Sequence, residues 1–204
     1  AIYAVGSSSS RPNTIMNCTI VGNTSARYGG GVFGSTSSGR ATAIKNSIVI
    51  GNTTTSGTDI YTGSDSGYNL VGTVSSFTVA STSTSGVTNT GWLATEPGKY
   101  GGATPTIALN PDFEGTNPAI DKGDSNYTAV NSTVAPTVDQ RDLPRIGVPD
   151  IGAYEHAEIS ATATIQVGQV YNLNDASSYV KGLMNDLVIT VEDEEDAQWE
   201  DYIS

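Results

Sequence analysis

Residues Ile15 to Thr24 read IMNCTIVGNT, and Ile44 to Thr53 read IKNSIVIGNT. The second segment repeats the first at an offset of 29 residues, with Ile15/Ile44, Asn17/Asn46, Gly22/Gly51, Asn23/Asn52 and Thr24/Thr53 identical. Ile20/Val49 and Val21/Ile50 keep the same β-branched character. Each copy is a short strand-forming run ending in Gly-Asn-Thr, and Gly and Asn tolerate the left-handed backbone that a sharp corner needs. One such strand cannot bury its own face, whereas successive copies stacked about 4.8 Å apart can, bringing equivalent side chains into ladders. The expected ladder residues are Asn17 over Asn46 and Asn23 over Asn52, with Gly22 and Gly51 at the corners.

Working outward, YNLVGT at Tyr68–Thr73 echoes the repeat weakly, with Gly72 in the glycine place 21 residues after Gly51. Upstream, Ile2 and Val32 stand 30 residues apart, each followed by a Gly/Ser-rich stretch, GSSSS and GSTSSG. FTVASTSTSGVTNTG, Phe77 to Gly91, reads as a strand or an irregular last coil. Beyond Trp92 the prolines at 97, 105, 111, 118, 136, 144 and 149 replace ladders by ordered turns. These readings give an all-β protein in three parts. Residues 1–91 form parallel β-helix coils, 92–156 a turn-rich module that caps the helix end, and 157–204 a short α/β-like extension with an acidic tail. The fold class is a right-handed parallel β-helix, a solenoid.

Composition agrees with many strands and turns. Hydrophobic residues make up 37% of the sequence, below the usual share for globular domains. Twenty-one acidic against nine basic side chains give a formal charge of −12, which repels phosphate backbones and anionic surfaces. Nucleic acid is therefore an unfavourable partner. Seven of the acids (Glu192, Asp193, Glu194, Glu195, Asp196, Glu200 and Asp201) crowd near the C-terminus. Membrane insertion is not expected, because no apolar run reaches the roughly 18 residues a spanning helix requires. Cys18 is the single cysteine, which leaves no intrachain disulfide and no cysteine-based metal cluster.

Three blocks in order, GGATPTIAL (Gly101–Leu109), NPAIDKGD (Asn117–Asp124) and DQRDLPR (Asp139–Arg145) followed by DIGAYE (Asp150–Glu155), resemble the choice-of-anchor Q domain. That module ends β-helix repeats in bacterial surface proteins. Asp142 stands where the family usually has glycine, at a tight turn between Arg141 and Leu143. The NCTIVGNTS and YGGGVF segments look similar to the β-helix repeats of polymorphic outer-membrane, adhesin-like proteins. The resemblance implies an extracellular or bacterial cell-surface location and no known enzymatic activity.

Candidate chemistry lies in Asp121, Asp124, Asp139, Arg141, Arg145, Asp150 and Glu155, with Lys122 and Asp142 nearby. Six to eight oxygen ligands would suit calcium, which makes these carboxylates a candidate calcium or acidic-sugar site. Alternatively, Arg141 and Arg145 form bidentate ion pairs with carboxylates such as Asp121 or Asp150, tying loops over the helix end. The clear strands hold no paired carboxylates at the roughly 5–9.5 Å a glycosidase needs. Tyr3, Tyr28, Tyr61, Tyr68 and Tyr100 are candidates for stacking on sugars. His156 is the only histidine and reads as a boundary residue.

The leading expectation is a non-catalytic structural, display or adhesion component, with a carbohydrate or a host or cell-surface protein as partner. A polysaccharide lyase or glycoside hydrolase with its active site upstream is the alternative. A third is a subunit of an extracellular filament, self-assembling or pairing with upstream coils at an open strand edge.

Overall fold

The computed structural model describes residues 1–4, 13–34 and 42–156. The Gly/Ser-rich stretches after Ala4 and Gly34 lie outside these residues, as do the expected extension and acidic tail at 157–204. The described protein is all-β, without a helix, and has twelve short strands: β1 (Ile2–Tyr3), β2 (Thr14–Met16), β3 (Thr19–Val21), β4 (Thr24–Ser25), β5 (Val32–Phe33), β6 (Ala43–Lys45), β7 (Ile48–Ile50), β8 (Thr53–Thr54), β9 (Ile60–Tyr61), β10 (Ser64–Asp65), β11 (Leu70–Val71) and β12 (Val74–Ser75).

All strand pairs are parallel. The four sheets run β1-β5-β9-β12, β10-β6-β2, β11-β7-β3 and β4-β8, an arrangement compatible with a parallel β-helix. The repeat is met at its 29-residue offset, since Ile15 pairs with Ile44, Ile20 with Val49 and Thr24 with Thr53. Ile2 and Val32 pair as well. The third repeat is shifted by one from the sequence alignment. Leu70 pairs with Ile48 and Val71 with Val49, so Gly72 does not sit over Gly51. The corner explains the shift: Asn17, Asn46 and Tyr68 share a left-handed backbone at φ 50°, 52° and 57°, and that register aligns Tyr68 with Asn46. Gly22 and Gly51, at φ 68° and 63°, make the second corner, where a side chain would be strained whatever the free space.

Two cores share one wall. Ile15, Ile20, Val32, Ile44, Val49, Ile60, Val71 and Phe77 form one buried cluster. Ile48, Ile50 and Leu70 point the other way and pack with Trp92, Leu93, Leu109, Ile151 and Tyr154. The continuous apolar run of β7 is thus buried on both faces, as central parallel strands are. The 92–156 region accordingly packs along the flank of the β3-β7-β11 sheet. Backbone N–H groups fix it there: Gly152 donates to Asn46 O (2.9 Å) and Ala153 to Thr19 Oγ1 (3.0 Å). Beyond β12, residues 77–91 stay irregular, touching the stack through the parallel bridge of Thr84 to Leu70.

Gly123, from the NPAIDKGD block, is where the flank meets the corner most closely. A Cβ there would lie 2.5 Å from Pro149 O and 2.6 Å from Asn46 Oδ1, and the Gly123 N–H also bonds Pro149 O at 2.7 Å. Backbone must move to admit a methyl group. Gly123→Ala is therefore expected to destabilise the fold by about 1–3 kcal/mol, read as a lower urea midpoint at unchanged slope.

Candidate functional site

The charged residues singled out from the sequence turn inward. Arg141 is buried, with Nε on Asp139 Oδ2 at 2.7 Å, Nη1 on Tyr100 O and Nη2 on Glu155 O. Its guanidinium also lies 3.7 Å from the centre of the Tyr154 ring. Asp139 is spent on this turn, accepting the N–H groups of Arg141, Leu143 and Glu155. Asp142, an exposed residue, supplies the turn with φ 66°, a conformation Asp tolerates. Arg145 Nη1 meets Glu155 Oε2 at 3.1 Å and Asp150 O at 3.2 Å, while Nη2 donates to Gly152 O.

The arginine partners thus differ from those expected. Asp121 is exposed and contributes its backbone N–H to Asp150 Oδ1 (2.8 Å). Asp150 gives Arg145 its carbonyl, and its second carboxylate oxygen accepts the His156 N–H. The third charged pair joins distant parts of the sequence. Lys45, at the end of β6, reaches Asp124 Oδ2 at 2.6 Å with both side chains about 5% exposed. No sequence signal marks this pair, because the carboxylate lies in another block.

Burial and neighbours set the acidities. Asp150, fully buried, is pushed up to about 7 by desolvation and by the Glu155 carboxylate, against the N–H groups of Asp121 and His156. Burial also raises Glu155, outweighing the N–H groups of Asp150 and Ile146 and the Arg145 guanidinium. Desolvation acts on Asp124 too, but there the Lys45 ammonium and the N–H groups of Asn126 and Thr128 prevail, and its pKa falls to about 2.

A ladder of polar side groups runs along the second corner. Asn52 Oδ1 accepts from Asn23 N and Nδ2 (3.0 and 2.9 Å), and Asp59 Oδ1 accepts from Asn52 N and Nδ2 (2.7 and 3.0 Å). Thr24 and Thr53 hydroxyls are 3.0 Å apart beside it. Asp59 was not recognised from the sequence, since an Asp in a Thr-Asp-Ile context carries no repeat signature. At the first corner Asn17 and Asn46 occupy equivalent places without bonding each other. Asn46 instead holds the backbone of the flanking region, with Nδ2 on Asp150 O (3.2 Å) and Oδ1 on Asp124 N–H (3.0 Å).

Three of the five tyrosine candidates, Tyr3, Tyr28 and Tyr61, stack on other rings. Tyr3, Phe33 and Tyr61 form a stack with centroids 5.0 and 5.5 Å apart, and Tyr28 lies on Tyr61 at 4.6 Å. Tyr100 meets Tyr154 edge-on, and Tyr68 sits near the Lys45 ammonium. Among the described residues Tyr3 is the most exposed of the large apolar ones, at 75%.

Among the described residues no three His, Cys, Asp or Glu side chains gather as a metal-binding group, and no helix is long and apolar enough to cross a membrane. Of the carboxylates considered for calcium, Asp124, Asp139, Asp150 and Glu155 instead face N–H donors, guanidinium or ammonium groups, so their arrangement is chemically one of internal cross-links, and Asp121 is exposed. Comparison with protein-family models, curated proteins and solved structures returned no match.

Proposed function

We propose that the protein is a structural, display or adhesion element of an extracellular, cell-surface protein, built as a right-handed parallel β-helix whose coils carry a choice-of-anchor Q-like region on one flank. One observation carries this reading: the buried charged groups of the DQRDLPR and DIGAYE blocks are consumed in holding residues 92–156 together, while the Lys45–Asp124 pair and the Asn46 amide tie that region to the strands. Arg141, Arg145, Asp139, Asp150 and Glu155 are all nine-tenths buried or more, and each bonds another group of the same polypeptide. A motif spent in this way serves rigidity, and a stiff stack with Ser- and Thr-rich outer edges suits presentation of loops. The test is incubation with neutral and acidic polysaccharides in the presence of calcium, followed by mass spectrometry. Unchanged polymers are expected. Shortened or unsaturated oligosaccharides, absent from a heat-denatured control, would overturn the reading and favour a polysaccharide lyase or glycoside hydrolase.

A further inference from the structure

Large apolar side chains that face water are not scattered over the described residues. Besides Tyr3 and Tyr28 they are Val134, Val138, Ile146 and Val148, four aliphatic side chains within the stretch 134–148. Single exposed apolar residues are ordinary, whereas a group of them on one stretch marks a surface that something covers.

Hydrogen bonds place this stretch around the point where the described structure ends. Glu155 Oε1 accepts the N–H of Ile146 itself (2.9 Å). The Glu155 N–H bonds Asp139 Oδ2 (3.0 Å), on the residue after Val138. The His156 N–H bonds Asp150 Oδ2, two residues after Val148. The two halves of the stretch run side by side, with the Arg145 N–H on Thr137 O (2.9 Å) and an antiparallel bridge between Val138 and Pro144. The polypeptide therefore leaves His156 beside Val138, Ile146 and Val148.

The sequence that follows has a matching pattern. In ATATIQV, Ala161–Val167, the apolar Ala161, Ala163, Ile165 and Val167 alternate with Thr162, Thr164 and Gln166. In extended form the apolar set occupies one face and the polar set the other. No charge occurs between Glu158 and Asp175, so the run carries nothing that burial would strand. The acidic residues of 192–201 would be a poor cover for an aliphatic surface. Residues 157–160 link His156 to the run, which starts no more than about 18 Å away. So short a link holds the run near the surface at an effective concentration on the order of millimolar.

We propose that Ala161–Val167 folds back as an extended strand onto the surface formed by Val134, Val138, Ile146 and Val148, with Ile165 and Val167 making the largest contacts. The cover is intramolecular. It is independent of the display reading, since a catalytic protein could close its flank in the same way.

The test is methyl NMR on the full chain, labelled at Ile and Val. Nuclear Overhauser contacts are expected from the Ile165 or Val167 methyls to those of Val138, Ile146 or Val148. Ile165→Asp and, separately, Ile146→Asp should abolish them while the methyl shifts of Ile44, Val49 and Ile60 stay in place. Those three shifts report an intact stack, so a lost contact is not confused with unfolding. Ile165 and Val167 methyls without contacts to 134–148, or contacts that survive both substitutions, would overturn the proposal. So would contacts seen between labelled and unlabelled molecules in a mixed sample, which would assign the surface to a second copy of this protein.

Discussion

Replacing Arg145 by Met is expected to destabilise the fold by about 3–5 kcal/mol at pH 8, the range for stranding one member of a buried ion pair. The Arg145 side chain is 1% exposed and its Glu155 partner 2%. Methionine fills much of the same volume but returns nothing to Glu155 Oε2, Asp150 O or Gly152 O. The cost should shrink as the pH is lowered. Burial already raises Glu155, and without the guanidinium it takes up a proton more readily, which removes the stranded charge. Urea unfolding of wild type and Arg145→Met at pH 5 and pH 8 measures both effects. A cost of under about 1 kcal/mol at pH 8 would mean that the pair contributes little beyond packing.

The second large effect is an acidic optimum of stability. Asp124 has a folded pKa of about 2 against an ordinary 3.8, so its contribution is present above pH 4 and is lost as the pH falls toward 2. Asp150 works in the opposite direction. Its folded pKa of about 7 exceeds the ordinary 3.8, so the unfolded state gives up the proton first and stability falls as the pH rises from 4 through 7. A shift of this size corresponds to a few kcal/mol at most, on the order of 1.4 kcal/mol per pH unit. Glu155, also raised, adds to the falling limb. The Lys45–Asp124 pair gives a control: Asp124→Asn should flatten the limb below pH 4 and leave the limb above it. A midpoint that rises steadily from pH 4 to pH 8 would place the Asp150 titration in the ordinary carboxylate range.

The stacking of the first two repeats was legible because corner and strand repeat together, with Asn17/Asn46 and Gly22/Gly51 marking the same two turns. The third repeat was misaligned by one because Gly72 imitates the glycine of the second corner, whereas the register follows the first corner, where Tyr68 takes the left-handed place of Asn17 and Asn46. Backbone handedness at a tyrosine leaves no compositional trace. The charged cluster was legible as a set, and its inward, ion-pairing role was one of the two readings open. Its pairing was not legible. Arg141 takes the carboxylate two residues away, Arg145 the one ten residues away, and Asp124 a lysine 79 positions upstream. Such choices depend on where the flank lies against the sheet, and no spacing rule encodes that. The continuous run Ile48–Ile50 did carry a signal: three successive apolar residues have no solvent side. Such a run marks a strand covered on both faces.

Because β7 serves both cores, the two cannot melt separately. Opening the flank would expose Ile48 and Ile50 to water, and opening the stack would expose Val49 and remove the surface on which Trp92, Ile151 and Tyr154 rest. The amide protons of Ile48, Val49 and Ile50 therefore have no local route to solvent and should exchange with deuterium only when the whole described structure unfolds. Cooperativity here comes from a single shared partition rather than from the size of either compartment.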